Sequence, residues 1–168
     1  MPIVLGLDPG TRHFGWGVVE QRGTRLFHVA HGIVHTDEKA AIAVRLVAIE
    51  SALMAVLDAH APHEASVEAL FFAKDPQAAA KLGHARGVAL LVCARAGLPV
   101  YEYAPALVKR AVVGSGRAEK SQVAQMVRVV LRLSGAPPAD AADALALALT
   151  HVQRARPAAP AVRKPGRP

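Results

Sequence analysis

The chain is poor in residues that would staple it together. Cys93 is the one cysteine among 168 residues. An internal disulfide is therefore excluded, a cysteine-rich zinc site has no ligands, and a reducing cytoplasm suits the chain. Aromatic residues are scarce as well: one tryptophan, two tyrosines and four phenylalanines. Acids are outnumbered, 13 Asp and Glu against 20 Lys and Arg, giving a formal net charge of +7 and a pI near 10.2. No apolar run approaches the ~20 residues that span a bilayer. The stretch Gly87 to Cys93 is far too short, and Met1 leads straight into a strand-like segment, so neither membrane association nor a signal peptide is expected.

What is present is apolar and rich in alanine. A hydrophobic content of 52% in a chain of this length predicts one domain with a sizeable core and plentiful helix. The basic excess favours polyanionic partners but is unevenly spread. Residues 152–168 hold Arg154, Arg156, Arg163, Lys164 and Arg167, four prolines and no acid, which is five of the seven net charges and leaves +2 for residues 1–151. The expected organisation is a folded domain over residues 1–152 and a disordered basic Pro/Ala-rich tail over 153–168.

Periodicity lays out the domain. Residues 3–8, Phe14 to Glu20 and Arg25 to His35 read as strands joined by tight turns, hence antiparallel. From about Glu38 the period becomes helical, with Ile42, Leu46, Ile49, Leu53, Val56 and Leu57 on one face and a break at Pro62. A strand near 65–70, a helix over Pro76 to Ala96, a short strand Val100 to Tyr103 and a helix near 105–112 follow. Helices over Ala118 to Leu133 and Ala139 to Arg154 complete the pattern. Right-handed crossovers place the last two strands parallel to the first. The predicted fold is α/β: a five-stranded mixed sheet, three antiparallel strands then two parallel, flanked by helices.

Four acids fall at element ends in this scheme. Asp8 closes the run Ile3-Val4-Leu5-Gly6-Leu7, Glu68 closes Ala65-Ser66-Val67, and Asp140 and Asp143 share a face at the start of the last helix. Partly buried carboxylates need compensation, and an all-oxygen set suits a hard divalent cation. Each has a plainer reading. Asp8 in Asp8-Pro9-Gly10-Thr11 suits a turn, and the same motif resembles the first phosphate loop of actin-like and sugar-kinase folds. Asp140 and Asp143 suit a helix N-terminus.

Basic and aromatic residues surround the acids in sequence. Phe71 and Phe72 are half of the phenylalanines. They suit either core packing or stacking on unpaired bases, with Lys74 beside them for a phosphate. Lys109 and Lys120 flank the loop Gly114-Ser115-Gly116 and suit a grip on a phosphate backbone. The run Gly114 to Ser121 nearly fits a nucleotide-binding loop, but Glu119 stands where a glycine is needed and a helix precedes it. His31 with His35, and His60 with His63, have zinc-like spacing without companion ligands. His151, two turns beyond Asp143, shares its general face.

Taken together, Gly6-Leu7-Asp8-Pro9-Gly10-Thr11-Arg12, Glu68 with Phe71-Phe72-Ala73-Lys74, Lys81 to Gly87, Val112-Val113-Gly114, Ala118 to Val123 and Ala139 to Ala146 resemble the RuvC family of crossover (Holliday) junction endodeoxyribonucleases. The resemblance spans residues 2–152. It implies a ribonuclease-H-like fold and a structure-selective endonuclease. Such an enzyme resolves four-way DNA junctions by paired, symmetric, metal-dependent phosphodiester hydrolysis in recombination and repair. The family's catalytic and metal-binding acids map onto Asp8, Glu68, Asp140 and Asp143, its junction-facing aromatic onto Phe71, and its basic residues onto Lys109 and Lys120. Implied as well are Mg²⁺, two per active site with Mn²⁺ as a substitute, a cytoplasmic homodimer built on the helix Pro76 to Ala96, and the branch-migration proteins RuvA and RuvB as partners. Two competing classes are a non-cutting junction-binding module, which the intact acid set disfavours, and an actin-like or sugar-kinase phosphotransferase, for which the chain hardly has room.

Overall fold

A computed structural model describes residues 2–69 and 75–154. Three strands come first: β1 (Ile3–Asp8), β2 (His13–Arg22) and β3 (Arg25–His35). They are followed by α1 (Ile42–His60), β4 (Glu64–Glu68), α2 (Pro76–Arg95) and β5 (Val100–Tyr103), then α3 (Pro105–Val113), α4 (Lys120–Val130) and α5 (Ala139–Gln153). The sheet order is β3-β2-β1-β4-β5; the first three strands are antiparallel, and β4 and β5 run parallel to β1. The mixed sheet expected from the sequence is the one observed.

β1 lies in the middle and is covered on both faces, which is why it reads as an unbroken apolar run. Its two-residue period sends Leu5 and Leu7 to one side, where Phe14 and Val18 join Ile49, Leu53 and Val56 of α1 and Ala85, Ala89 and Val92 of α2. Cys93 is buried in the same layer, the ordinary core role expected of it. Val4 and Val19 face the other layer, built from Val108 and Val112 of α3, Val123 and Val127 of α4, and Leu145 and Leu149 of α5.

Local sequence explains the joints. Gly23 turns the β2–β3 hairpin at φ 60°, the positive value that such two-residue turns demand. The ladder pairs Val18 with Ala30 but Val19 with His28, so Val29 is an extra residue and β3 bulges there. α4 is shorter than the predicted span of Ala118 to Leu133. The Gln122 side chain accepts the Glu119 N–H at 2.8 Å and fixes the start. At the other end Arg132 turns to φ 54° and stops the helix.

The seat of α5 on the sheet is unusually close. A Cβ at Gly6 would lie 1.8 Å from the Ala144 carbonyl oxygen, one at Gly15 would lie 2.1 Å from that of Asp140, and one at Gly17 would lie 2.6 Å from Leu145. Three glycines on β1 and β2 thus let the alanine-rich helix touch the sheet backbone, bringing its first turn beside the end of β1. Gly6→Ala is expected to lower unfolding free energy in urea by about 3 kcal/mol or more, since the obstacle is backbone that cannot rotate away. Gly135→Ala, with open space around it, should stay within about 0.5 kcal/mol of the wild type.

Candidate active site

The sheet topology gathers the acids. β1 and β4 are parallel neighbours, with Leu7 opposite Val67, so Asp8 and Glu68 leave adjacent strands at the same edge. Asp8 pairs across β2 with Gly15, and the Asp140 backbone and Cβ rest on Gly15. Asp143 follows one turn along α5. Asp8, Glu68 and Asp143 line a cleft of about 150 Å³ with Lys109 of α3 and Lys120 of α4. A second cleft of about 180 Å³ continues past Asp8 and Glu68 to Pro9, Leu82, Arg86 and Pro105. A larger hollow of about 970 Å³, between β3 and the α4–α5 connection, carries no carboxylate and lies apart from this chemistry.

The electrostatics show carboxylates crowded together. Burial pushes the Asp8 carboxyl up to about 7, and Asp143, Asp140 and Glu68 push the same way against Lys120. Glu68 is also raised, first by burial and then by Asp143, with Lys120, Lys109 and Arg86 opposing. Lys120 donates to Asp143 Oδ2 at 2.8 Å, and that bond raises the lysine. Among the described residues, no three His, Cys, Asp or Glu side chains already stand as a closed ligand set. The acids converge as mutually repelling neighbours, one of them held by a lysine. Their donor atoms are all carboxylate oxygens, which fit a hard divalent cation and not a soft one.

Other predicted residues fall differently. Phe71, Phe72 and Lys74 lie outside the described residues. His151 does not join the acids. It is 4% exposed, with Nδ1 2.7 Å from the Tyr103 hydroxyl and Nε2 2.8 Å from Glu64 Oε2. Eight residues beyond Asp143, it lies about 12 Å further down the helix, beside Glu64 at the start of β4. The zinc-like histidine pairs also re-sort. His13 meets His35 across the β2–β3 ladder at 3.0 Å, and the bulge at Val29 brings His28 to His31 at 2.7 Å. His63 accepts the Ile3 N–H, and His60 packs on Trp16.

Two arginines act on the backbone beside the acids, although the sequence analysis assigned neither a role. Arg45 of α1 donates to the Thr11 carbonyl at 2.6 Å, and Thr36 Oγ1 donates to the same oxygen, so the turn after Asp8 is braced from the α1 side. Arg86 of α2 is buried and donates to the Glu68 carbonyl. Its signal was visible, because a charged residue stands in phase with the buried Ala85, Ala89 and Val92 of an apolar helix face.

A mixed five-stranded sheet with acids at its central strand ends, an acid-bearing helix across them and lysines alongside defines a ribonuclease-H-like nuclease. The model of the family described as crossover junction endodeoxyribonuclease RuvC matches residues 4–151, and the chain belongs to that family. A crossover junction endodeoxyribonuclease RuvC from Sorangium cellulosum is 60% identical over 152 residues, covering 90% of this chain and 85% of the relative. A structure of T. thermophilus RuvC in complex with a Holliday junction substrate is 40% identical with a TM-score of 0.85, covering 90% of this chain and 93% of that one. The yeast mitochondrial Holliday junction resolvase Ydc2, 14% identical at a TM-score of 0.62 over 88% of this chain and 76% of that one, shares the fold.

The raised Asp8 carboxyl has a measurable consequence. A carboxylate whose folded value lies above its unfolded value costs stability once ionised, so that cost grows as pH rises from about 4 through about 7. Without divalent ions, Asp8→Asn is expected to be more stable than the wild type at pH 8 by about 1–3 kcal/mol, and the gain should vanish near pH 4. Urea denaturation at several pH values checks this. A wild type that is more stable at pH 8 would contradict it.

Proposed function

We propose that this chain is a structure-selective endonuclease that resolves four-way DNA junctions by paired, symmetric, metal-dependent phosphodiester hydrolysis during recombination and repair. The observation that carries the reading is the meeting of Asp8, Glu68 and Asp143, with Asp140 adjoining, at one sheet edge in a chain of this family. Asp8, Glu68, Asp140 and Asp143 would hold Mg²⁺, two ions per site, with Mn²⁺ as a substitute. Cations held there would supply charge stabilisation to the attacking water and the leaving 3′-oxygen.

The chain's own residues do the rest. Lys120 and Lys109 present positive charge at the cleft mouth and draw in one backbone phosphate. Pro9 and the braced Thr11 keep the turn after Asp8 from wandering into that space. Phe71 and Phe72 are assigned to unpaired bases at the crossover and Lys74 to a neighbouring phosphate. Residues 1–152 make up the nuclease domain; of the basic segment 153–168 expected as a tail, residues 155–168 lie outside the described residues.

Paired cutting implies two copies around a two-fold axis. α2 suits the interface: Gly83 and Gly87 have open space where side chains would be, and Leu91 is 47% exposed. The homodimer acts with RuvA and RuvB in the cytoplasm. No helix among the described residues is long and apolar enough to cross a membrane.

Incubation with a labelled four-way junction and Mg²⁺ should give symmetric nicks in opposing strands, abolished by EDTA. Asp8→Asn should lower the cutting rate by more than about a hundredfold, since even outer-shell changes at metal sites reach that size. Junction binding without cutting in any divalent metal would favour a binding module, and ATP turnover without effect on DNA a phosphotransferase; either would overturn the reading. Leu91→Glu should shift sedimentation towards a monomer and replace coordinated double nicks by single ones. An unchanged dimer would move the interface elsewhere.

A further inference from the structure

Arg86 is the one buried lysine or arginine among the described residues, at 5% exposure. It lies on α2 among Ala85, Ala89, Val92 and Cys93, in an otherwise apolar face. Taking a guanidinium out of water is costly, and a buried ion pair is weak evidence of a stabilising purpose. Its two hydrogen bonds are directional. One terminal nitrogen donates to the backbone carbonyl of Glu68 at 2.5 Å and the other to Glu102 Oε1 at 2.5 Å. Glu102 lies on β5 opposite Val67 of β4, one step before the Glu68–Tyr103 pair. Beyond Glu68 the chain is tied once more, by the Ala69 N–H to the Tyr103 carbonyl at 2.8 Å. Arg86 also lines the cleft that contains Asp8 and Glu68.

We propose that Arg86 is a positioning residue for Glu68: anchored on Glu102, its guanidinium clamps the Glu68 carbonyl and fixes the direction in which the Glu68 carboxylate leaves β4 towards Asp8 and Asp143. The inference rests on the reading of Glu68 as one of the site's acids. The planar fork is what the job requires, because it presents two donors at fixed divergence to a carboxylate and a carbonyl that belong to different strands. A lysine in its place keeps the charge but offers a point donor that cannot hold both. Without the clamp, the last residue of β4 keeps its ladder partner but loses its tether to α2.

The test compares the full-length wild type with Arg86→Lys and Glu102→Gln, using Mn²⁺ as the probe. Free Mn²⁺ is counted by electron paramagnetic resonance, junction affinity is measured in EDTA, and cutting is followed at several Mn²⁺ concentrations. Arg86→Lys should melt cooperatively and bind the junction within about twofold of wild type, while its Mn²⁺ Kd rises about tenfold and kcat falls about tenfold to a hundredfold. Part of the lost rate should return at high Mn²⁺, which a merely structural defect would not allow. Glu102→Gln, altered at the partly exposed end of the clamp, should raise the Mn²⁺ Kd about two- to fivefold, and it decides the question if Arg86→Lys fails to fold. Wild-type Mn²⁺ affinity in the folded variants, or a loss of rate that high Mn²⁺ does not restore, overturns the proposal. A wild type that neither binds Mn²⁺ nor cuts would instead sink the reading of the acids themselves.

Discussion

The oxygen of Ala144 occupies the space where a side chain at Gly6 would begin, and most of the chemistry depends on that contact. Because β1 and β2 offer glycine at positions 6, 15 and 17, α5 rests on the sheet backbone and its first turn overhangs the end of β1. Asp140 and Asp143 are thereby brought beside Asp8, which, first because it is buried and then because of these neighbours, holds its proton up to about pH 7. The cluster is electrostatically unfavourable by itself. It persists because the helix that carries two of its members is buried along nearly its whole length, from Ala141 to His151. Packing on the apolar flank holds charges together that would separate in water.

Each layer of the fold sends something to this edge. From the α3–α5 side come Lys109 and Lys120, which line the cleft directly. From the α1–α2 side come two arginines that act on backbone: Arg45 on the carbonyl of Thr11, just past Asp8, and Arg86 on the carbonyl of Glu68. The division is physical. The α3–α5 side opens at the cleft, so Lys120 is exposed and Lys109 half-exposed there. On the opposite side Arg86 is buried and Arg45 half-buried, and their hydrogen bonds go to carbonyls, to the Thr36 hydroxyl and to Glu102. One side contributes charge and the other contributes geometry.

Much of this was legible in the chain, for reasons that differ by element. β1 declared itself by an apolar run that stops at an acid, and α5 by alanines and leucines behind two acids one turn apart. These are local patterns, and the four acids could be named from them together with the family resemblance. Contacts that depend on register were not legible. His28 reaches His31 only because Val29 is bulged out of the ladder, and nothing in the sequence marks that bulge. His151 shows that phase along a helix says which way a side chain points but not how far along it lies. Arg86 announced itself as a buried charge, yet its partners sit 16 and 18 residues away on strands whose adjacency is a property of the whole sheet. Nothing local distinguishes Gly15 and Gly17 within β2; their purpose shows only with α5 in place above them.

The pairing of Lys120 with Asp143 shows how the site stands ready. The lysine is 79% exposed and its partner 25%. An exposed pair of this kind contributes about 0–1 kcal/mol, so the lysine can exchange the carboxylate for a phosphate at little cost. It is also insufficient, since one ammonium on Asp143 leaves Asp8 still raised by its burial and by Asp143, Asp140 and Glu68. A proton on Asp8 relieves the remaining excess of negative charge, and a cation shared among the carboxylates would do the same. These are alternative occupants of the same field. A cation held there would therefore displace a proton as pH falls towards and below about 7, and its affinity would weaken over the same range. The repulsion that the helix seat imposes on the acids is thus also what makes the edge selective for compact positive charge.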